Sequence, residues 1–361
     1  MRRYRNQIII GLLISLALYI AVLIVFDNQG QFTEGVVQAF DGFPWIALLW
    51  IALAQTGTFV FRFFTWQYYM GVIGARERMS VLDSAVIFVV GFVLVVSPGK
   101  AAELLKAVLV KVKSGTPTAR TVPVVVAERV VDGISVIILL AVAMFAAEEQ
   151  LQLGEYRDFS RAIVFSSAGL ILFGLLAVQV RPLGELILAI IARIPLIRRT
   201  SHWFRELYES SRTVFSLRHV LVTMMFGVGV YAFTALAFVV ILVAFGLPLT
   251  LTLVLQAAFI VGVSTAIGAL SFVPNGAGVT EISQAAMLMA IVAPQNPELT
   301  VGVAAAAALL EGFFHKWYRV LVGLGTAFVY RQRLFSPAVE RELELARLRG
   351  SHADQSRSAA S

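Results

Sequence analysis

The chain has 361 residues, of which 59% are hydrophobic and 14% charged, with a net charge of +7 and a mean hydropathy of +0.84. A soluble domain carries about a quarter charged residues, so this composition selects an integral membrane protein. The absence of cysteine excludes disulfides, thiol nucleophiles, Fe–S clusters and Cys-ligated zinc. The positive surplus reports loop orientation and lipid contact, and no basic stripe on a soluble domain suggests nucleic-acid binding.

Arg2, Arg3 and Arg5 precede an apolar run from Ile8 to Phe26. That run is too long for a signal peptide core and no small-residue cleavage site follows it, so it reads as a retained transmembrane helix with a cytoplasmic N-terminus. The next loop carries Asp27, Glu34 and Asp41 with no Lys or Arg, as suits the outer side. A second helix from about Pro44 to Tyr69 ends in Phe61, Phe63, Phe64, Trp66, Tyr68 and Tyr69, an aromatic belt expected at the interface. Arg62 within that belt reads as snorkelling to the headgroups.

Arg76 and Arg78 return the chain to the cytoplasm, and the apolar run Ser80–Val96 follows. It breaks at Pro98-Gly99, after which come Lys100, Glu103, Lys106, Lys111, Lys113 and Arg120. Both flanks are basic. A full crossing would leave positive charge outside, whereas a re-entrant hairpin entering from the cytoplasm avoids that conflict. A crossing from Pro123 to about Phe145 holds Glu128, Arg129 and Asp132, whose spacings of three and four place them on one helix face. Arg161–Val180 returns inward. The Arg-rich stretch 181–218 reads as an amphipathic cytoplasmic connector, lying on anionic headgroups or packed on the bundle.

Val220–Phe245 crosses outward. Leu251–Val273 is apolar and breaks at Pro274, Asn275, Gly276 and Gly278, with Glu281 following. No basic residue flanks either half, so this hairpin is expected to enter from outside. Leu299–Tyr330 crosses inward and carries Glu311, His315 and Arg319 at intervals of four.

Two halves, roughly 44–180 and 219–330, therefore share one order: an apolar run, a Pro/Gly break with a following carboxylate, then a crossing helix with charge. Their expected orientations are opposite. The reading is an all-α polytopic membrane protein with about six full crossings and two re-entrant helical hairpins arranged as an inverted repeat. Residues 1–335 form one membrane domain and 336–361 a charged cytoplasmic tail. Charged residues within crossings are costly, so they mark a functional path or pair with one another to hold helices together.

The segments SPGKAAELLKAVLV, AERVVDGISVIILL, FVPNGAGVTEIS and EGFFHKWYRVLVG together resemble the flippase-like membrane domain of lysylphosphatidylglycerol synthetases and its stand-alone relatives. The resemblance covers about residues 8–330. It implies a bundle in the bacterial cytoplasmic membrane, with both termini cytoplasmic, that moves a lipid between leaflets. It points to Pro98, Gly99, Lys100, Glu103, Glu128, Arg129, Asp132, Pro274, Gly276, Gly278 and Glu281. Asn275-Gly276 stands where the family often has Gly-Gly. No soluble aminoacyl-transferase domain accompanies the membrane domain, so lipid aminoacylation is not expected.

The expected partners are membrane lipids with anionic or polar headgroups. A homo-oligomer or a lipid-biosynthesis enzyme stands beside them as an alternative partner, which would make the chain a non-catalytic member of an envelope-synthesis complex. No cofactor is expected. Only 4 histidines occur, with no His-Glu-x-x-His and no Gly-rich nucleotide loop, which argues against an embedded enzyme.

Overall fold

The structure is a computed structural model and describes residues 31–94, 101–146, 156–182, 185–186, 201–271, 273 and 276–334. Among the described residues all regular structure is helical: α1 (Gln31–Ala39), α2 (Ala47–Val72), α3 (Val81–Leu94), α4 (Ala101–Ser114), α5 (Thr118–Ala146), α6 (Tyr156–Gln179), α7 (Ser201–Val214), α8 (Leu217–Ala244), α9 (Leu251–Leu270), α10 (Val279–Met287), α11 (Val301–Gly312), α12 (Arg319–Val329) and α13 (Arg331–Leu334). A π-helical segment, Phe313–Tyr318, joins α11 to α12, and a second one, Leu288–Val292, extends α10.

Four of these helices, α2, α5, α8 and α9, are long and apolar enough to cross a membrane. Their outward faces carry large apolar side chains such as Trp50, Leu53, Phe64, Leu221, Met225 and Leu236. In water such a surface would be untenable, and in a bilayer it is the lipid contact. The protein is a multi-pass, all-α membrane protein. The described parts of α3 and α4 have 14 residues each, and residues 95–100 between them lie outside the described residues. The expected first crossing, the tip at Pro98–Lys100 and the tail all lie outside the described residues, as do Pro274 and Asn275.

The interior divides into two hydrophobic cores placed end to end. One gathers Trp66, Tyr69 and Met70 of α2 with Val86–Val90 of α3, Leu109 and Val110 of α4, Val124 and Ala127 of α5, and Val214, Phe215 and Leu334. The other gathers Phe43, Ala47 and Ile51 near the start of α2 with Val136, Leu140 and Ala143 of α5, the second half of α8, α9, Met287–Val292 and α11. The α3–α4 pair and the α9–α10 pair thus pack at opposite ends of α2, α5 and α8. The first end carries Arg76 and Arg78 between α2 and α3 and Arg120 in the first turn of α5, whereas 39–46, 245–250 and 293–300 at the second contain no Lys or Arg.

Helix α7 docks on α5. Its Glu206 accepts from Arg120 Nε at 2.9 Å, and Ser210 Oγ donates to the Arg120 carbonyl at 3.1 Å. Of the two settings expected for the connector, packing on the bundle is therefore present.

Candidate functional site: ionisable groups at the junction of two cores

Between the two cores runs a belt of ionisable side chains. On α2 it falls at Arg62, between Ile51 and Trp66; on α5 it falls at Glu128 and Asp132, between Ala127 and Val136. Asp132 is the midpoint of α5, and Lys316 lies halfway along the continuous helical run Val301–Val329.

Arg62 corrects the expectation of a snorkelling residue. Its Nη1 donates to both Asp132 oxygens, at 2.8 and 2.9 Å, and its side chain is only 12% exposed. Helical spacing explains this: Arg62 shares the inward face of α2 with Thr58, Phe59, Thr65 and Trp66. Trp66 and Tyr69 are fully buried rather than interfacial, held by Trp66 Nε1 donating to Ser84 Oγ at 2.9 Å and by a 3.0 Å bond between the Tyr69 and Thr223 hydroxyls. Only part of the aromatic cluster faces lipid, as Phe64 does.

Arg129, one residue beyond Glu128, reaches Asp132 at 3.3 Å and is half-exposed. Arg319 of α12 also lies within electrostatic reach of Asp132. One carboxylate therefore faces guanidiniums from three helices.

Glu128 turns the other way. Lys106 of α4 donates to its Oε2 at 2.9 Å, and the ammonium sits 3.8 Å from the centre of the Trp66 ring. That combination of carboxylate and aromatic face is how a buried ammonium is made tolerable. Glu103 lies on the first turn of the same helix. Arg62, Lys106, Glu128, Arg129 and Asp132 line a cleft whose walls include Phe88, Phe92 and Val230.

The second half repeats the motif with the charges exchanged. Glu281 is on the short helix α10 and Lys316 on the long one, 2.8 Å apart. Lys316 Nζ also donates to the Gly276 carbonyl at 3.3 Å, which holds the turn before α10 against the middle of the last helix. Gly276 and Gly278 have φ of +61° and +83°, a conformation that glycine adopts without steric cost. The Gly278 N–H donates to Glu281 Oε2 at 2.8 Å, closing the helix start. Gly312 leaves the space that the Glu281 carboxylate fills, since a Cβ there would overlap it.

The expected stripe Glu311, His315, Arg319 is present but only partly connected. Glu311 accepts from Gln284 Nε2 at 3.1 Å and lies 3.6 Å from His315 Nδ1. Arg319 Nε donates to the His315 carbonyl, and no carboxylate of the described residues lies at ion-pair distance from its guanidinium.

Of the residues named from sequence, Glu128, Arg129, Asp132, Gly276, Gly278, Glu281, Glu311, His315 and Arg319 fall along the belt. Three residues that complete it do not stand among the site residues read from sequence: Arg62, Lys106 and Lys316. Each was legible only as a charge, because its partner is 22 to 70 positions away in sequence.

The helical fold and intramembrane charge define a polytopic membrane protein with a polar site inside the bundle. The family model for the lysylphosphatidylglycerol synthase TM region matches residues 8–323, and the chain belongs to that family. Membership ties it to membrane-lipid function. No curated protein and no solved structure gives a significant match.

Proposed function

We propose that the protein moves a polar lipid between the two leaflets of its membrane, the headgroup passing along the charged junction while the acyl chains stay in lipid. The observation that carries this reading is the cleft at the junction of the two cores, lined by Arg62, Lys106, Glu128, Arg129 and Asp132 at mid-bundle. Charges placed so deep cost several kcal/mol if they serve only as glue, and they give a headgroup a polar route through a layer that otherwise excludes it.

The placement of the α3–α4 pair and the α9–α10 pair at opposite ends of α2, α5 and α8 supports the re-entrant, inverted arrangement, in which each half covers the route from one side. The basic loops beside the α3–α4 pair favour that end as the cytoplasmic one, in a bacterial cytoplasmic membrane.

The test is leaflet-resolved movement of a labelled phospholipid in vesicles containing purified protein. Wild-type protein is expected to accelerate exchange over protein-free vesicles, and Glu128→Gln to reduce it at least tenfold at equal incorporation. No acceleration by wild-type protein across anionic, zwitterionic and glycolipid probes would reject transport and favour a non-catalytic role beside a lipid-biosynthesis enzyme.

A further inference from the structure

The carboxylates described along the belt are not partnered alike. Glu128 meets Lys106 at 2.9 Å, Asp132 meets Arg62 at 2.8 Å, and Glu281 meets Lys316 at 2.8 Å. Glu311 has no ammonium or guanidinium at ion-pair distance among the described residues. Its side chain is 3% exposed, and Oε2 accepts from a neutral amide, Gln284 Nε2, at 3.1 Å. Oε1 lies 3.6 Å from His315 Nδ1. A carboxyl group so deeply placed, with no cation against it, is neutralised most cheaply by a proton.

The surrounding charges are engaged elsewhere. Lys316 is held by Glu281 of α10 and by the Gly276 carbonyl. Arg319 acts on Glu311 from beyond ion-pair distance and donates its Nε to the His315 carbonyl. Helix α8, also packed on α11, brings Tyr231 near Arg319, and α1 has no ionisable residue among 35–39. On the α2 side Arg62 acts on His315 but is bound to Asp132.

Two further features point to a proton. His315 Nδ1 and Gln284 Oε1 are both buried without a hydrogen-bond partner. An O–H on Glu311 Oε1 supplies the donor that Nδ1 lacks once the gap closes by less than about 1 Å. His315 also lies in the π-helical segment Phe313–Tyr318, a helix form frequent at functional sites. It is the more open of the two side chains, at 19% exposure, and feels Arg62, which lines the cleft, so it stands on the cleft side of Glu311.

We propose that Glu311 carries an exchangeable proton and passes it through His315 to the cleft, a proton site that couples lipid movement to a pH difference across the membrane. In the loaded state the proton is on Glu311 Oε1 and His315 Nδ1 accepts from it. Transfer leaves a carboxylate and an imidazolium. The imidazolium then loses a proton from Nε2, so one proton leaves in all, and Gln284 keeps its bond to Oε2 throughout. Buried Glu and His side chains are the usual parts of proton relays in transporters. The coupling rests on the transport reading; the proton site does not.

Infrared spectra of the purified full chain in a maltoside detergent, which has no ester carbonyl, read the site directly. At neutral pH wild type is expected to show a protonated-carboxyl C=O stretch that shifts in heavy water, disappears at alkaline pH and is absent from Glu311→Gln. The amide copies the shape of the protonated acid, so the unfolding midpoint of Glu311→Gln is expected to match that of wild type. A sharply lower midpoint, or the same C=O band in the variant, overturns the proposal. Loss of the band when sodium replaces potassium at constant pH also overturns it and identifies a metal-cation site.

Coupling is read in vesicles with the membrane potential clamped. If one proton accompanies one lipid, a gradient of one pH unit supports a leaflet ratio of about tenfold for a labelled phospholipid. Wild type is expected to build that ratio and Glu311→Gln to leave the label evenly distributed. Lipid movement by wild type with an even distribution overturns the coupling. No lipid movement in any vesicle rejects the transport reading, and the infrared band alone then decides the proton site.

Discussion

Arg62 and Arg129 illustrate how differently two charges can behave on meeting one carboxylate. Arg62 is largely buried and holds both oxygens of Asp132; Arg129 is half in solvent and touches one. Breaking a buried pair strands a charge and costs roughly 3–5 kcal/mol, whereas a half-exposed pair contributes about 0–1 kcal/mol. Asp132→Ala is therefore expected to lower the unfolding midpoint in detergent sharply and Arg129→Gln to leave it nearly unchanged. Equal losses from the two would show that the pairing inferred here is wrong. Gly312 offers a second test at this scale. A methyl group there meets the Glu281 carboxylate, so Gly312→Ala is expected to destabilise by about 1–3 kcal/mol, read in the same unfolding assay.

The helix-face arithmetic that grouped Glu128, Arg129 and Asp132 was sound because it is local: residues three and four apart on one helix are neighbours by construction. It did not reveal that Glu128 and Asp132 answer to different partners, since Lys106 and Arg62 arrive from separate helices. Arg62 was obscured further by its aromatic neighbours, which resemble an interfacial belt in sequence. Trp66 and Tyr69 instead fill the core around it.

At the scale of elements, each half ties a short helix to a long one with a buried Lys–Glu pair, and the polarity is reversed. Lysine sits on the short helix α4 in the first half and on the long run α11–α12 in the second. The helix order and the glycine turn at Gly276 and Gly278 are readable from sequence, because punctuation and periodicity are written locally. The π-helical segment at Phe313–Tyr318 was not, since it depends on what the helix must reach. It shifts the register between α11, which packs on α10, and α12, which packs on α3, so one helical run touches both short elements. Gly323 permits the second contact, its missing side chain admitting the Val89 carbonyl and Val93. If the Lys–Glu pairs are the ties, exchanging their charges restores much of what one reversal removes. Lys106→Glu and Glu128→Lys are each expected to destabilise strongly. The double variant should recover 0.5–3 kcal/mol relative to additivity, a range of about that size being usual for contacting residues. A strictly additive double variant, measured by unfolding in detergent, argues against the tie.

For the molecule as a whole, the arrangement of the two cores makes a statement about sidedness. The aromatic cluster of Phe40, Phe43, Trp45 and Phe245 ties the loops at one end. At the other, Tyr68 meets His219 at 2.8 Å, and Leu334 joins the core beneath Arg76 and Arg78. Loop charge alone predicts which end is which, because basic loops stay on the cytoplasmic side. The absence of cysteine makes the chain its own background for a labelling experiment. Arg78, Gln295 and Arg331 are all exposed, the first and last at the basic end and Gln295 at the other. With Arg78→Cys, Arg331→Cys and Gln295→Cys made singly, a membrane-impermeant maleimide added to intact cells is expected to label only Gln295→Cys. Added to inverted vesicles, it is expected to label the other two. Labelling of all three from one side would place the α3–α4 pair and the α9–α10 pair at the same face. The opposed arrangement would then fail, and with it the argument that a headgroup meets the two halves from opposite leaflets. Labelling reversed as a whole would keep the opposed arrangement and overturn only the orientation, because loop charge fixes the direction of insertion while packing fixes the relation between the halves.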